Sequence, residues 1–119
     1  MIEAKLGEVE SRFADIIWNN EPLSSRALAE LAEKELSWKR TTTYTILKRL
    51  CDRGIFKNEG GTVTSSISRM EFYALQSEKF VEETFDGSLP AFLAAFGSRK
   101  RLSNQEIDEL QKVIDSMRG

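Results

Sequence analysis

The sequence predicts a mainly α-helical fold carrying one small β-hairpin, and three observations predict it. Apolar residues recur at helical spacing in six segments. Good helix-capping residues stand at the starts of several of those segments. A Gly60-Gly61 pair separates two short β-type runs.

Leu6, Val9, Phe13, Ile16 and Ile17 share one face of a first helix over about 7–20. Asn19, Asn20 and Pro22 end it, because proline lacks the amide donor that a helix needs. Ser24 or Ser25 caps a second helix with an apolar stripe of Leu28, Leu31 and Ala32, ending near Glu35 or Leu36. A third helix is expected from Arg40 to Arg53, stopped by Gly54. Its wheel places Thr43, Ile46, Leu47 and Leu50 on one face. Thr41, Tyr44, Thr45 and Lys48 lie opposite, with Thr42 and Arg49 on the flank. Threonine is a poor helix former, and simple exposure would favour Glu, Lys or Gln. Short hydroxyls and long bases on an outward face suit a groove of DNA.

Ile55-Phe56-Lys57 and Thr62 to Ile67 then flank Glu59-Gly60-Gly61, a hairpin signal. Three helices followed by a hairpin, within about 65 residues, is the order of a winged helix-turn-helix domain.

The rest reads as helix. Ser68 with Glu71 fits a capping box opening a helix through about Phe85, with Phe72, Tyr73, Phe80, Val81 and Phe85 as its apolar surface. Gly87 breaks it. Ser88 caps a short helix with Pro90 in its first turn and a stripe of Leu89, Phe92, Leu93 and Phe96. This helix is expected to end near Phe96, where Gly97 follows. Ser103 and Glu106 form a further capping box before Ile107, Leu110, Ile114 and Met117. The expected organisation is a winged helix over 1–69 and a helical domain over 70–119. Short amphipathic helices of this kind bury little apolar area alone, and an isologous two-fold dimer is the most economical partner.

The formal net charge of −2 disfavours nucleic acid until its distribution is considered. Residues 1–37 carry four basic and eight acidic side chains, net −4. Residues 38–57 carry six basic ones (Lys39, Arg40, Lys48, Arg49, Arg53, Lys57) and one acidic, Asp52, net +5. Residues 58–119 carry seven basic and ten acidic, net −3. The third helix and the start of the hairpin therefore lie in the one basic segment. A winged helix that binds only other proteins is the alternative, and the basic segment favours DNA.

Catalysis finds no support. Histidine is absent, and there is no CxxC pair or glycine-rich phosphate loop. No cofactor and no metal site are expected. Cys51, alone, reads as a small hydrophobe at the edge of the third helix's apolar face. Met1 to Leu6 contain no apolar run, and no stretch approaches the roughly 20 apolar residues of a membrane helix. The expected location is cytoplasmic, with no membrane insertion.

Several segments together resemble the BlaI/MecI/CopY family of bacterial repressors. They are Leu6-Gly-Glu-Val-Glu, Ile16-Ile17-Trp18, the run from Thr41 to Leu50, Arg53-Gly54-Ile55, Phe92-Leu93-Ala94-Ala95-Phe96, and Leu102 to Leu110. The resemblance covers essentially the whole chain, and the threonine-rich helix ending in Arg49-Leu50 is its most specific part. It implies a homodimeric repressor on a two-fold symmetric double-stranded DNA operator overlapping a promoter. The DNA contacts it implies are Arg40, Thr41, Thr42, Tyr44, Thr45, Lys48 and Arg49, with Lys57 and Asn58 beside the wing. Dimerisation is expected through Phe72, Tyr73, Phe80, Phe85, Leu89, Phe92, Leu93, Ile107, Leu110 and Ile114.

Copper-responsive members carry a cysteine-rich C-terminal metal site, whereas residues 98–119 contain neither cysteine nor histidine. The resemblance is therefore to the penicillinase-repressor type. In that branch a membrane-bound sensor protease triggers cleavage of the repressor before a phenylalanine, and the matching bond is Ala95–Phe96. Control of antibiotic-resistance genes is the corresponding expectation; the alternative is that of family members that regulate other genes and have no such protease, with release through some other signal. Where Tyr44 stands, the β-lactam repressors tend to carry a longer basic side chain, which implies a different base preference.

Overall fold

The computed structural model describes residues 5–118. The reading of the chain's first residues falls mostly on 1–4, outside the described residues. The contacts divide the chain into two compact units, Met1–Lys79 and Phe80–Gly119.

In the first unit, α1 (Glu8–Asn20) starts at Gly7, whose amide donates to the Glu10 carboxylate at 3.1 Å. Glu8 and Glu10 also complement the positive end of the helix dipole. α2 (Ser25–Leu36) starts at Ser24, whose Oγ accepts from the Ala27 amide at 3.0 Å. It ends where Ser37 takes a left-handed conformation. α3 (Arg40–Asp52) ends at Arg53, and Gly54 follows with φ 82°, the left-handed step that glycine makes without steric cost.

The expected hairpin is β2 (Phe56–Glu59) paired antiparallel with β3 (Thr62–Ser65), Phe56 opposite Ser65 and Glu59 opposite Thr62. Gly60 and Gly61 turn between them with φ of 60° and 87°, the two positive values that a type I′ hairpin needs. A third strand was not expected. β1 (Leu23–Ser24) pairs with β3, giving the sheet order β1-β3-β2. The Ser25 amide also donates to the Gly61 carbonyl at 2.8 Å, so the turn of the wing is tied to the start of α2.

These elements close over one core: Phe13, Ile17, Leu28, Leu47, Leu50, Ile55, Phe56, Val63, Ile67 and Phe72 are all buried. Burying each such side chain contributes about 1.5–3 kcal/mol. α1 presents Phe13, Ile16 and Ile17 inward and α2 presents Leu28 and Ala32, as the periodicity requires, whereas Val9, expected on the same stripe in the first turn of α1, is exposed.

α4 (Arg69–Phe85) opens where the Ser68 Oγ accepts from the Glu71 amide at 3.1 Å. Its first turns belong to the first unit. Arg69 donates from Nε to Asp15 Oδ1 at 3.2 Å and from Nη2 to Asn19 Oδ1 at 2.7 Å, and its guanidinium lies 5.7 Å from the Trp18 ring centre. The Trp18 indole N–H donates to the Ile67 carbonyl at 3.1 Å, and its ring packs against Phe56, Phe72 and Tyr73. Phe72, expected on a dimerisation face, is instead 1% exposed in this core. Tyr73 stays largely exposed but leans on Trp18. The winged-helix unit therefore extends past residue 69, because the α4 aromatics complete its core.

The second unit contains the end of α4, then α5 (Leu89–Arg99) and α6 (Asn104–Ser116). Ser88 Oγ accepts from the Ala91 amide at 3.1 Å. The Ser103–Glu106 box is formed in both directions, each bond 3.1 Å. α5 does not stop at Phe96. It runs through Gly97 to Arg99, and the Lys100 amide closes on the Phe96 carbonyl at 3.0 Å. A helical glycine costs only about 1 kcal/mol relative to alanine, so Gly97 does not by itself break the helix. Phe80, Phe85 and Phe92 form an edge-to-face trio with centroids 5.6–6.1 Å apart, and Phe96 continues it at 6.3 Å from Phe92. No helix among the described residues is long and apolar enough to cross a membrane.

Candidate nucleic-acid interface

The outward face of α3 is set by what its inward face must bury. Thr43, Leu47 and Leu50 are buried and Ile46 is half-buried. That leaves Arg40, Thr41, Thr42, Tyr44, Thr45, Lys48 and Arg49 exposed, so every expected contact on this helix faces solvent. Lys57 and Asn58 are exposed on β2, in the wing.

The hydroxyls are not equivalent. Thr43 Oγ1 donates to the Lys39 carbonyl at 3.4 Å from a buried position, so this threonine is structural. Thr45 Oγ1 donates to the Thr41 carbonyl at 2.8 Å, so its proton is committed to the helix. Thr41 and Thr42 stand exposed beside it.

The basic side chains also divide. Arg53 belongs to the scaffold. It is 17% exposed, lies 3.7 Å from the Glu10 carboxylate and donates to the Lys5 carbonyl. Its charge therefore holds the segment before α1 against the end of α3 and adds little to the face. Arg49 is 56% exposed and 3.9 Å from the same carboxylate. Lys48 pairs with Asp52 at 3.1 Å and Lys57 with Glu59 at 3.4 Å, all on the surface. Surface pairs of this kind are weak, and a phosphate can replace the protein acid. Lys39 and Arg40 make no ion pair among the described residues. They line a polar cleft of about 510 Å³ with Glu33, Ser37 and Trp38 at the start of α3. No side chain caps the first amides of α3. Two cations and open helix amides in one place suit a phosphate group.

Cys51 is half-buried against the core. Desolvation raises its thiol above the ordinary value, Asp52 adds to the rise and Lys48 opposes it. A raised thiol is a poor nucleophile near neutrality, which suits a small packing residue.

Two supporting side chains carried no sequence signal. Glu10 joins α1 to Arg49 and Arg53. Glu21 accepts from the Ser65 amide and Oγ, both at 2.8 Å, which anchors β3 of the wing to the end of α1. Both pairings are distant in sequence; Glu10 closes the Leu6-Gly-Glu-Val-Glu run, which gives no sign of its partner, and Glu21 stands in no motif.

The remaining expected residues lie elsewhere. Phe80, Leu89 and Ile107 are exposed, and Phe85, Phe92, Leu93 and Leu110 are half-buried. Ile114 is exposed, as are Ala95 and Phe96. Within the second unit, α5 and α6 flank an open, mostly apolar cleft of about 430 Å³ lined by Phe92, Leu93, Phe96, Leu102, Leu110 and Val113, with Glu106 and Glu109 also on its wall.

Comparison with known proteins gives one consistent answer. The chain is similar to the penicillinase repressor of Bacillus licheniformis, 23% identical over 115 residues, covering 93% of this chain and 90% of that one. A family model described as penicillinase repressor matches residues 6–116, nearly the whole length. The match spans α3, the wing and the C-terminal helices alike, and the chain belongs to the penicillinase repressor family.

Proposed function

We propose that this protein represses transcription by binding a two-fold symmetric DNA operator as a homodimer and occluding the promoter. The observation that carries this reading is the outward face of α3. Seven exposed polar, basic or aromatic residues stand there on a helix whose other face is locked into the core. Backbone contacts from Lys39, Arg40, Lys48, Arg49 and Lys57 supply most of the affinity, and the hydroxyls, Tyr44 and Arg49 face base edges.

Dimerisation is supported by the second unit. None of its described residues is buried, although it carries Phe80, Leu89, Phe96, Ile107, Val113 and Ile114. Apolar surface on this scale marks an interaction site, and a second copy offers a self-complementary one. Two copies then set their α3 helices in successive major grooves about one DNA turn, roughly 34–36 Å, apart.

The reading extends to regulation. The regulated genes are those of β-lactam resistance, as the name of the Bacillus licheniformis relative suggests. Release follows cleavage at Ala95–Phe96, triggered by a membrane-bound sensor protease. That bond lies inside α5, and the Ala95 carbonyl is held by Ser98 Oγ at 2.7 Å. Cleavage therefore requires the last turns of α5 to unwind into an extended substrate. It then severs α6 from the rest of the chain and weakens the dimer. Weighing the fragments after β-lactam challenge in the presence of the sensor checks this. An intact chain with the operator released removes the cleavage step and leaves repression standing.

The test of the core reading is a binding titration on sites selected from a random duplex library, repeated across a salt series. Affinity falls steeply with salt. Arg49→Ala and Lys48→Ala each lose roughly 1–3 kcal/mol if they touch bases or desolvated phosphates. Affinity unchanged in both variants rejects the α3 face as the DNA site.

A further inference from the structure

We infer that Tyr44, together with the methyl group of Thr45, recognises the 5-methyl group of a thymine in each operator half-site. The inference rests on the DNA-binding reading above and deepens it.

Tyr44 lies near the middle of the outward face of α3. It is 41% exposed and makes no aromatic contact and no hydrogen bond among the described residues. A phenol ring left 41% exposed, with no aromatic partner among the described residues, has apolar surface to gain from a partner that covers the rest. The neighbouring hydroxyl sharpens the chemistry. Because Thr45 Oγ1 donates its proton to the Thr41 carbonyl at 2.8 Å, Thr45 offers a groove only a methyl and an acceptor. The ring of Tyr44 and the methyl of Thr45 thus offer apolar surface on either side of Thr41, beside the exposed hydroxyls of Thr41 and Thr42. Charged ends frame this face: Arg40 at the start of the helix, and Lys48 and Arg49 toward its end, within 3.1 Å and 3.9 Å of Asp52 and Glu10.

The major groove offers base edges, since the base faces are stacked. Of the four bases only thymine presents an apolar group there, its 5-methyl. Apolar surface on a basic helix therefore discriminates T·A from the other pairs. The phenol oxygen at the tip of the ring stays free to donate to a neighbouring acceptor. A purely positioning tyrosine would use that oxygen on a phosphate and ignore the base.

The experiment uses the full-length chain and the consensus duplex that it selects from a random library. Each thymine of that duplex is replaced in turn by deoxyuridine, which deletes the 5-methyl and nothing else. The expected result is one position per half-site at which the wild type loses about fourfold in affinity, the worth of one buried methyl. Tyr44→Phe keeps that loss, Thr45→Ser reduces it, and Tyr44→Ala reduces it further, leaving only the part that the Thr45 methyl carries. Wild-type affinity indifferent to every replacement overturns the inference while leaving the repressor reading intact, as does a sensitivity undiminished in Tyr44→Ala. A library that yields no enriched sequence overturns the DNA reading and this inference with it.

Discussion

The two compact units are built from similar amphipathic helices and differ in what those helices meet. Every buried apolar side chain among the described residues lies at or before Phe72. The N-terminal unit has α1, α2, α3, the sheet and the first turns of α4 converging on one core. In the C-terminal unit α5 has the more apolar sequence, yet neither α5 nor α6 buries a residue. Periodicity shows that a helix has an apolar face and says nothing about which molecule covers it. One unit buries its apolar faces in its own core; the other leaves them exposed or half-buried in the single chain.

The largest expected effect tests that difference directly. A chain ending at Lys79 keeps its core and melts cooperatively, yet its operator affinity falls by roughly 10²–10⁴, because a single head loses the linked second binding event. Circular dichroism and a titration on the selected duplex measure both. A chain ending at Arg69 lacks Phe72 and the aromatic contacts of Trp18, and should fold poorly. Equal melting of the two shortened chains would show that α4 is dispensable to the first unit and would move the boundary back to residue 69.

Single phenylalanine substitutions give the same contrast at smaller scale. Phe72→Ala removes a fully buried ring and should cost about 3–5 kcal/mol. That loss is independent of protein concentration, because it is intramolecular. Phe96→Ala removes a ring that is 46% exposed in the single chain. Its effect should be small in dilute protein and grow with concentration, since it acts on association. Light scattering alongside melts at two concentrations separates them. Concentration dependence in Phe72→Ala, or none in Phe96→Ala, breaks the comparison.

Much of the fold, in both units, is legible in the sequence because its punctuation is local. Ser24, Gly54, Gly60-Gly61, Ser88 and the Ser103–Glu106 box act within four residues, and each does what its type favours. The exposed face of α3 is legible for the same reason, since burying Thr43, Leu47 and Leu50 fixes its opposite side. The rest depended on distant partners. β1 is two residues long, too short for alternation, and forms because β3 offers it an edge. Phe72 joins the first unit because Trp18 and Phe56 leave room for it. Arg53 counts as a cation in the sequence and serves as an anchor in the fold, through Glu10 and the Lys5 carbonyl. Gly97 suggests a helix end that the surrounding turns override.

The smallest expected effect concerns Asp52, the single acid in the basic segment. Its pair with Lys48 is exposed on both sides, so Asp52→Asn should shift stability by no more than about 0.5 kcal/mol. Its consequence for binding is larger than for folding. With the carboxylate gone, Lys48 no longer divides its charge between protein and phosphate. Operator affinity rises, and the salt dependence steepens by up to about 0.9 per half-site in the log–log plot. A second readout comes from the neighbouring thiol. Asp52 is one of the causes raising the Cys51 pKa, because a nearby negative charge disfavours the thiolate, while Lys48 lowers it. Removing that charge lowers the pKa, so at a fixed pH more thiolate is present and a thiol reagent reacts faster. Desolvation is the larger cause and is untouched, so the thiol stays above its ordinary value and the acceleration is modest. A steeper salt slope with a faster thiol shows Asp52 acting as a local counter-charge on the DNA face. If the thiol responds and the slope does not, Lys48 lies outside the phosphate contacts and the interface is carried by Lys39, Arg40 and Arg49.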